Sequence, residues 1–203
     1  MYRHVGKRLF DVAGSLLLLV CVAPVLLPAM LAVRVRLGRP VIWRQQRPGR
    51  GGRPFTLIKL RTMSNARNPA GDLLPDAERM TALGSLLRRS SVDELPELLN
   101  VLRGDMSLVG PRPLLMQYLA RYTPEQARRH EIRPGITGLA QVSGRNALSW
   151  AEKFALDVRY VDNLSPWLDA RLLILTAWSV LSREGISQPG HATAQEFMGS
   201  ASR

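Results

Sequence analysis

The sequence has few of the residues that build disulfides, metal clusters and common nucleophile motifs. Its single cysteine, Cys21, excludes an internal disulfide and fits a reducing compartment. The three histidines, His4, His130 and His191, lie far apart and no C-x-x-C pair occurs, so no zinc site is predicted. The sequence contains neither a Walker A loop nor a G-x-S-x-G elbow. Zinc, P-loop and serine-hydrolase chemistry are therefore set aside.

Acidic residues are scarce relative to basic ones. The 203 residues include 28 Lys and Arg against 16 Asp and Glu, which gives a formal net charge of +12. A charge of this sign predicts polyanionic partners: nucleic acid, an anionic membrane surface or phosphorylated small molecules. The length suits one domain with a real core and one appended element.

Charge is absent from one long stretch near the start. Residues 12–33 carry no charged side chain, and about 22 helical residues extend about 33 Å, enough to span a bilayer. Pro24 and Pro28 are expected to kink this helix. Basic residues flank it on both sides, and positive charge favours the cytoplasmic side. We therefore favour a re-entrant helix that enters and leaves by one face, with a true span and a signal peptide as the alternatives.

The rest of the chain predicts a compact α+β domain that is mostly helical. Residues 41–43 and 55–60 are expected to form a short β-hairpin, and residues 65–75 a polar loop. Helices are predicted at residues 78–89, 93–103, 150–163 after the S-x-x-E capping box at Ser149, and 167–181 after Ser165-Pro166. The last helix has an amphipathic pattern, and its apolar side belongs either to the core or to a lipid surface. That side contains Leu168, Leu172, Leu175 and Trp178.

Two adjacent carboxylates contrast with the basic background. Asp93 and Glu94 lie just before Pro96, and Ser91 and Glu94 have the spacing of a capping box. If Ser91 were the N-cap, Pro96 would interrupt the helix, so the helix is expected to begin at Val92 or Asp93. A helix N-terminus favours ionised carboxylates. Position alone leaves both helix capping and catalysis open.

Other charged residues lie in rigid or glycine-rich settings. Arg112 stands between two prolines, which suits an arginine aimed at a phosphate, although an ordinary turn explains it equally well. The segment 133–146 has three glycines that either bring backbone N–H groups to a phosphate or form a generic loop. Lys59 and Arg61 alternate with Leu60 along the second predicted strand, so their side chains lie on the same face of the sheet. They either present a charged face to a site or are simply solvated.

Five ordered motifs resemble those of one family. The chain resembles the bacterial sugar transferases, and more narrowly the small monotopic phosphoglycosyl transferases. The motifs cover nearly the whole chain, and the set is far more specific than any single member. They are Lys7-Arg8-x-x-Asp11, KLRTM (59–63), SVDELP (91–96), GDMSLVGPRP (104–113) and RPGITG (133–138). Residues 146–150 and the glycine-spaced ending 185–199 are similar to the subgroup that acts on UDP-N,N′-diacetylbacillosamine in bacterial protein glycosylation.

The resemblance implies a reaction at the cytoplasmic face of the bacterial inner membrane. A phospho-sugar would pass from a UDP-sugar to undecaprenyl phosphate in contact with membrane lipid, releasing UMP, and nucleic acid is not an expected partner. Asp93 would be the nucleophile that forms a covalent phospho-sugar intermediate, Glu94 its partner, and Mg²⁺ a cofactor with Asp93 as a ligand. Substrate or phosphate binding is implied for Lys59, Arg61, Arg88, Arg112, Arg133, Arg145 and Asp169.

The implied organisation is a membrane-anchoring re-entrant helix in residues 1–38 and a cytosolic catalytic domain in residues 39–203, with both termini cytoplasmic. One position departs from the family, which often breaks its helix at Ser-Pro: here the pair is Ala23-Pro24, so freed carbonyls lose a hydroxyl partner. The alternatives are a membrane-bound UDP-sugar hydrolase, a basic non-catalytic membrane scaffold and a nucleic-acid-binding protein. The last of these leaves the apolar stretch and the carboxylate pair without a role.

Overall fold

A long N-terminal helix precedes a set of short elements in the computed structural model, which describes residues 2–144, 147–182 and 196–199. The fold is α+β and mostly helical, as predicted. A π-helical turn, Tyr2–Gly6, leads into the first helix. The elements are α1 (Lys7–Arg36), β1 (Ile42–Pro48), β2 (Pro54–Leu60), α2 (Asp76–Arg79), α3 (Ala82–Arg89), α4 (Glu97–Arg103), β3 (Ser107–Val109), α5 (Pro124–Ala127), β4 (Gly135–Thr137), α6 (Leu139–Val142), α7 (Trp150–Asp162) and α8 (Pro166–Ser182).

Two small sheets form in the described part of the chain. β1 and β2 make the predicted antiparallel hairpin, in which Ile42 pairs with Leu60 and Pro48 with Pro54. β1 is longer than the prediction of residues 41–43, because polar residues continue the pairing where the sequence resembles a turn. β3 and β4 pair in parallel, with Ser107 opposite Gly135. Strands of three residues are too short to show an alternating pattern, so sequence does not predict this second sheet.

The helix predictions are confirmed at α7 and α8 and need correction at 78–89. Ser149 and Glu152 make both hydrogen bonds of the capping box that starts α7. Ser165 Oγ accepts a hydrogen bond of 3.2 Å from the backbone N–H of Leu168 at the start of α8. The predicted helix 78–89 instead divides into α2 and α3, because Thr81 is extended and caps α3 by accepting from the backbone N–H of Gly84.

The apolar helix α1 is continuous from Lys7 to Arg36 and contains Pro24 and Pro28. It is the one helix in the described ranges that has the length and apolar composition to cross a membrane. Near its C-terminal end Val33 is fully buried against Leu60 and Leu87. The re-entrant bend and the division of the chain at residue 38 stay predictions.

The apolar side of α8 divides between core and surface. Leu172 is 1% exposed and belongs to the main core, whereas Trp178 is 70% exposed. Trp167 at the other end of the helix is 79% exposed. Both sequence interpretations of this side therefore hold for different residues, because Leu168 and Leu172 pack on the core whereas exposure increases towards Trp178.

Candidate active site

The two adjacent carboxylates lie in a tight turn between α3 and α4. Ser91 adopts a left-handed conformation (φ 55°), Val92–Glu94 form a single 3₁₀ turn, and α4 begins only at Glu97, directly after Pro96. Within the described residues the Ser91 side chain makes no capping hydrogen bond. The capping-box interpretation of Ser91 and Glu94 is therefore wrong. A helical turn does begin at the predicted Val92, but it is a 3₁₀ turn, and the α-helix itself begins at Glu97.

Glu94 is held by two cations. Its Oε1 lies 2.6 Å from Lys59 Nζ of β2 and 2.5 Å from Arg112 Nη2 of the loop after β3. Burial alone would raise the pKa of Glu94, but Arg112 and Lys59 outweigh it and hold this pKa well below its usual range. Glu94 is thus an anion that holds the side chains of both cations in place at the site.

Asp93 has the opposite environment. It is 7% exposed, and within the described part of the chain no group donates a hydrogen bond to its carboxylate. Burial and the neighbouring Glu94 raise the pKa of Asp93 to about 6, against the opposing charges of Lys59, Arg88 and Arg112. A buried carboxylate that is surrounded by cations and bound by none of them is available to attack an electrophile or to bind a cation.

Glu97, which sequence reasoning does not select, completes the cluster. It is 2% exposed, and its Oε1 lies 3.0 Å from Lys59 Nζ. Burial and then Glu94 raise the pKa of Glu97 to about 7, while Lys59 lowers it. In the sequence, the one sign that Glu97 belongs to the site is its position three residues after Glu94, because residues three apart share a helix face.

The loop that carries Arg112 is fixed by backbone packing. Gly110 and Gly135 are so close that a Cβ on Gly135 would lie 2.0 Å from the Gly110 nitrogen, which only glycine allows. The Gly135 N–H donates to the Pro111 carbonyl at 3.0 Å, so it is not free to bind a phosphate. On the other side Arg129 Nη2 donates to the Arg112 carbonyl at 2.8 Å. These glycines therefore position Arg112 through close packing.

Arg129 in turn forms a buried ion pair that sequence does not reveal. Its Nη2 and Nε lie 2.7 and 3.0 Å from Asp157 Oδ2 of α7, and both side chains are almost fully buried. Arg88 is the third cation near Asp93, and its Nε donates to Thr62 Oγ1 at 3.0 Å. Both arginines line the same cavity as Glu94 and Arg112.

This cavity has a volume of about 980 Å³ and joins two kinds of wall. Arg88, Glu94 and Arg112 form its charged wall, whereas apolar residues of α1, including Leu17 and Val22, form another. A charged group bonded to a long apolar chain fits such a space, because each part finds a matching environment.

Three predicted site residues lie apart from the cluster. Arg61 donates to the carbonyls of Leu37 and Arg39, and Arg133 Nε donates to the Gly104 carbonyl at 2.8 Å. Asp169 is fully buried and accepts hydrogen bonds from Tyr2, Lys7 and Tyr160. Their contacts fix the backbone and α1, so their implied roles in substrate binding stay predictions without support from the geometry. Arg145 lies outside the described residues, as does nearly all of the segment 185–199.

Comparison with known proteins gives consistent similarities. A family model described as "Bacterial sugar transferase" matches residues 2–183. The chain is 57% identical over 194 residues to the "Uncharacterized sugar transferase EpsL" of Bacillus subtilis, covering 96% of each chain. It is 43% identical to the "UDP-glucose:undecaprenyl-phosphate glucose-1-phosphate transferase" of Caulobacter vibrioides, over 88% of this chain and 70% of the relative. It is 39% identical to the "Undecaprenyl-phosphate galactose phosphotransferase" of Salmonella typhimurium, over 88% of this chain and 41% of the relative.

Proposed function

Because the chain belongs to the bacterial sugar transferase family, we propose that it transfers a phospho-sugar from a UDP-sugar to undecaprenyl phosphate and releases UMP. The observation that carries the proposal is the buried, unbound carboxylate of Asp93 among Lys59, Arg88 and Arg112, beside a cavity walled by the apolar helix α1. The names of two relatives describe this reaction type for those proteins.

The proposed chemistry has two displacements. An oxygen of Asp93 attacks the phosphorus that carries the sugar, the bond to the bridging oxygen of the diphosphate breaks, and UMP leaves with the electron pair. A phosphate oxygen of undecaprenyl phosphate then attacks the same phosphorus, and the bond to Asp93 breaks and restores the carboxylate. Arg112 and Lys59, aimed by Glu94, offset the negative charge that gathers on the phosphoryl oxygens.

We propose Mg²⁺ as the cofactor, with Asp93 as a ligand. No cluster of three or more metal-binding side chains is found in the described ranges, but Mg²⁺ commonly takes one or two carboxylates together with water and substrate phosphates. The unbound Asp93 carboxylate, with a pKa raised to about 6, fits this donor set because a cation would stabilise its charged form. When bound, Mg²⁺ would neutralise the diphosphate of the donor.

The contacts of α1 support the proposed re-entrant topology. Near its start Arg8 donates to the carbonyls of Val101 and Leu102 at 2.5 and 2.7 Å, and near its end Val33 is buried in the same domain. The two ends of a spanning helix lie on opposite sides of the membrane and could not both pack on one domain. Between them, Val20 and Leu27 are 74% and 64% exposed, which suits contact with lipid.

The topology is tested by labelling single cysteines in whole cells. In a Cys21→Ser background, cysteines at positions 3 and 39 are expected to resist a membrane-impermeant maleimide until the cells are opened, because both ends face the cytoplasm. Labelling of either position from outside would show a spanning helix instead. A periplasmic protein with a native thiol serves as the positive control for the reagent.

The function is tested by UMP release from a panel of UDP-sugars with undecaprenyl phosphate and Mg²⁺. The panel holds UDP-N,N′-diacetylbacillosamine, which the sequence resemblance predicts, together with UDP-GlcNAc, UDP-glucose and UDP-galactose; glucose and galactose appear in the relatives' names. Sustained release is expected only when the acceptor is present. Turnover without acceptor would indicate a UDP-sugar hydrolase, and no release from any donor would contradict the transferase.

A further inference from the structure

One end of the cavity contains buried polar atoms that lack partners. The Oε1 and Nε2 atoms of Gln141 in α6 and the Oδ1 atom of Asp157 in α7 are buried without a hydrogen-bond partner in the described part of the chain. Both residues line the cavity that also contains Glu94 and Arg112. We call Gln141 and Asp157 the polar corner.

Asp157 belongs to an ordered, buried arrangement that borders the cavity. Its side chain is 4% exposed, and its Oδ2 is held by Arg129 at 2.7 Å, so the position of the free Oδ1 is fixed. An unpaired buried polar group costs free energy unless a ligand or water completes its hydrogen bonds.

The polar corner lies next to the phosphate-facing residues. Gln141 follows Gly138 by three residues, and a Cβ on Gly138 would lie 2.2 Å from the Gly110 carbonyl oxygen. Gly110 belongs to the loop that presents Arg112, so close packing brings the start of α6 against that loop. In a UDP-sugar the ring bonded to the reacting phosphate is nearer to this loop than the uridine, which lies one phosphate further away.

We propose, on the basis of the proposed function, that the polar corner binds the sugar ring of the donor through its hydroxyl groups. A hydroxyl both donates and accepts, which matches the acceptor Oδ1 of Asp157 and the paired donor and acceptor of the Gln141 amide.

The test measures binding in an Asp93→Asn background, so that no turnover occurs. Gln141→Leu is expected to weaken binding of the best UDP-sugar of the panel about tenfold, the effect of losing a buried hydrogen bond, while UMP binding stays unchanged. Because no group in the described part of the chain pairs with the Gln141 amide, the unfolding temperature of Gln141→Leu is expected to be unchanged or higher.

The matched control is Gln45→Leu. Gln45 also has a buried Oε1 without a partner but does not line the cavity, so this variant is expected to bind both ligands normally. Equal weakening of UMP and UDP-sugar binding by Gln141→Leu would place the uridine at the polar corner and overturn the proposal. Unchanged affinity for both ligands would also overturn it. Failure of the transferase reaction itself would be seen separately, as the absence of acceptor-dependent UMP release by the unmodified protein.

Discussion

Asp93→Asn is expected to lower the rate of acceptor-dependent UMP release by about a thousandfold or more, as expected when the attacking group itself is lost. The amide keeps the size of the side chain but cannot form the bond to phosphorus. The folded protein should not suffer, because burial and Glu94 raise the pKa of Asp93 and so disfavour its charged form. We expect the unfolding temperature to be unchanged or higher, while activity is lost.

An assay without the acceptor distinguishes a nucleophilic role of Asp93 from a purely electrostatic one. The unmodified protein is then expected to release one UMP per active site and to gain the mass of a phospho-sugar, and Asp93→Asn should show neither. Asp72→Asn, in the exposed polar loop, is the matched control and should behave like the unmodified protein. Persistent turnover in Asp93→Asn would mean that another residue is the nucleophile.

The pH profile of the unmodified protein provides an independent check on Asp93. Only the ionised carboxylate attacks, so kcat/KM should fall at acid pH as Asp93 becomes protonated. Burial and Glu94 raise the pKa of Asp93 to about 6, and because bound Mg²⁺ would stabilise the charged form, the fall is expected at or below pH 6 and should move towards lower pH as the Mg²⁺ concentration rises. Glu97→Gln removes the neighbouring group whose pKa burial raises to about 7. If Asp93 controls the acid limb, that limb should keep the same position in this variant as in the unmodified protein.

Two S-x-x-E tetrads in the chain show what sequence predicts well and what it does not. Ser149 and Glu152 form the predicted capping box at the exposed start of α7, where no competing partner approaches. At Ser91 the same pattern fails, because Glu94 pairs with Lys59 and Arg112 from distant parts of the chain. Local helix propensity determines the structure at Ser149, whereas ion pairs with distant residues determine it at Ser91.

The same distinction explains the rest of the candidate site. The hairpin, the long apolar helix and helices α7 and α8 follow from local patterns of charge, hydrophobicity and capping. The buried pair of Arg129 and Asp157, the partnerless amide of Gln141 and the packing of Gly110 on Gly135 depend on contacts between residues far apart in sequence. No single-sequence pattern encodes such contacts, so these features required the structure.

Asp169→Ala is expected to destabilise the protein by about 3–5 kcal/mol, the cost of leaving one member of a buried ion pair alone, which lowers the unfolding temperature by about 10 °C. Asp169 Oδ2 accepts from Lys7 Nζ at 2.8 Å and its Oδ1 from the Tyr160 hydroxyl at 2.6 Å. It is fully buried, so water cannot replace these bonds. Tyr160→Phe removes one donor and leaves the ion pair, so it should cost only about 1 kcal/mol.

The anchoring role of Asp169 and the substrate-binding role that the sequence resemblance implies predict opposite results. Lys7 lies on α1 and Asp169 on α8, so their ion pair fastens the long apolar helix to α8. An anchoring residue changes stability and leaves the KM of the donor unchanged, which we expect for Asp169→Asn assayed well below its unfolding temperature. A raised donor KM at an unchanged unfolding temperature would favour substrate binding, because a group that contacts the donor acts on KM without supporting the fold. Lys7→Met tests the same contact from the other partner. It should destabilise the protein more than Asp169→Asn, because it leaves both Asp169 and Asp11 without their cation, whereas Lys7 keeps Asp11 at 3.6 Å when Asp169 is replaced.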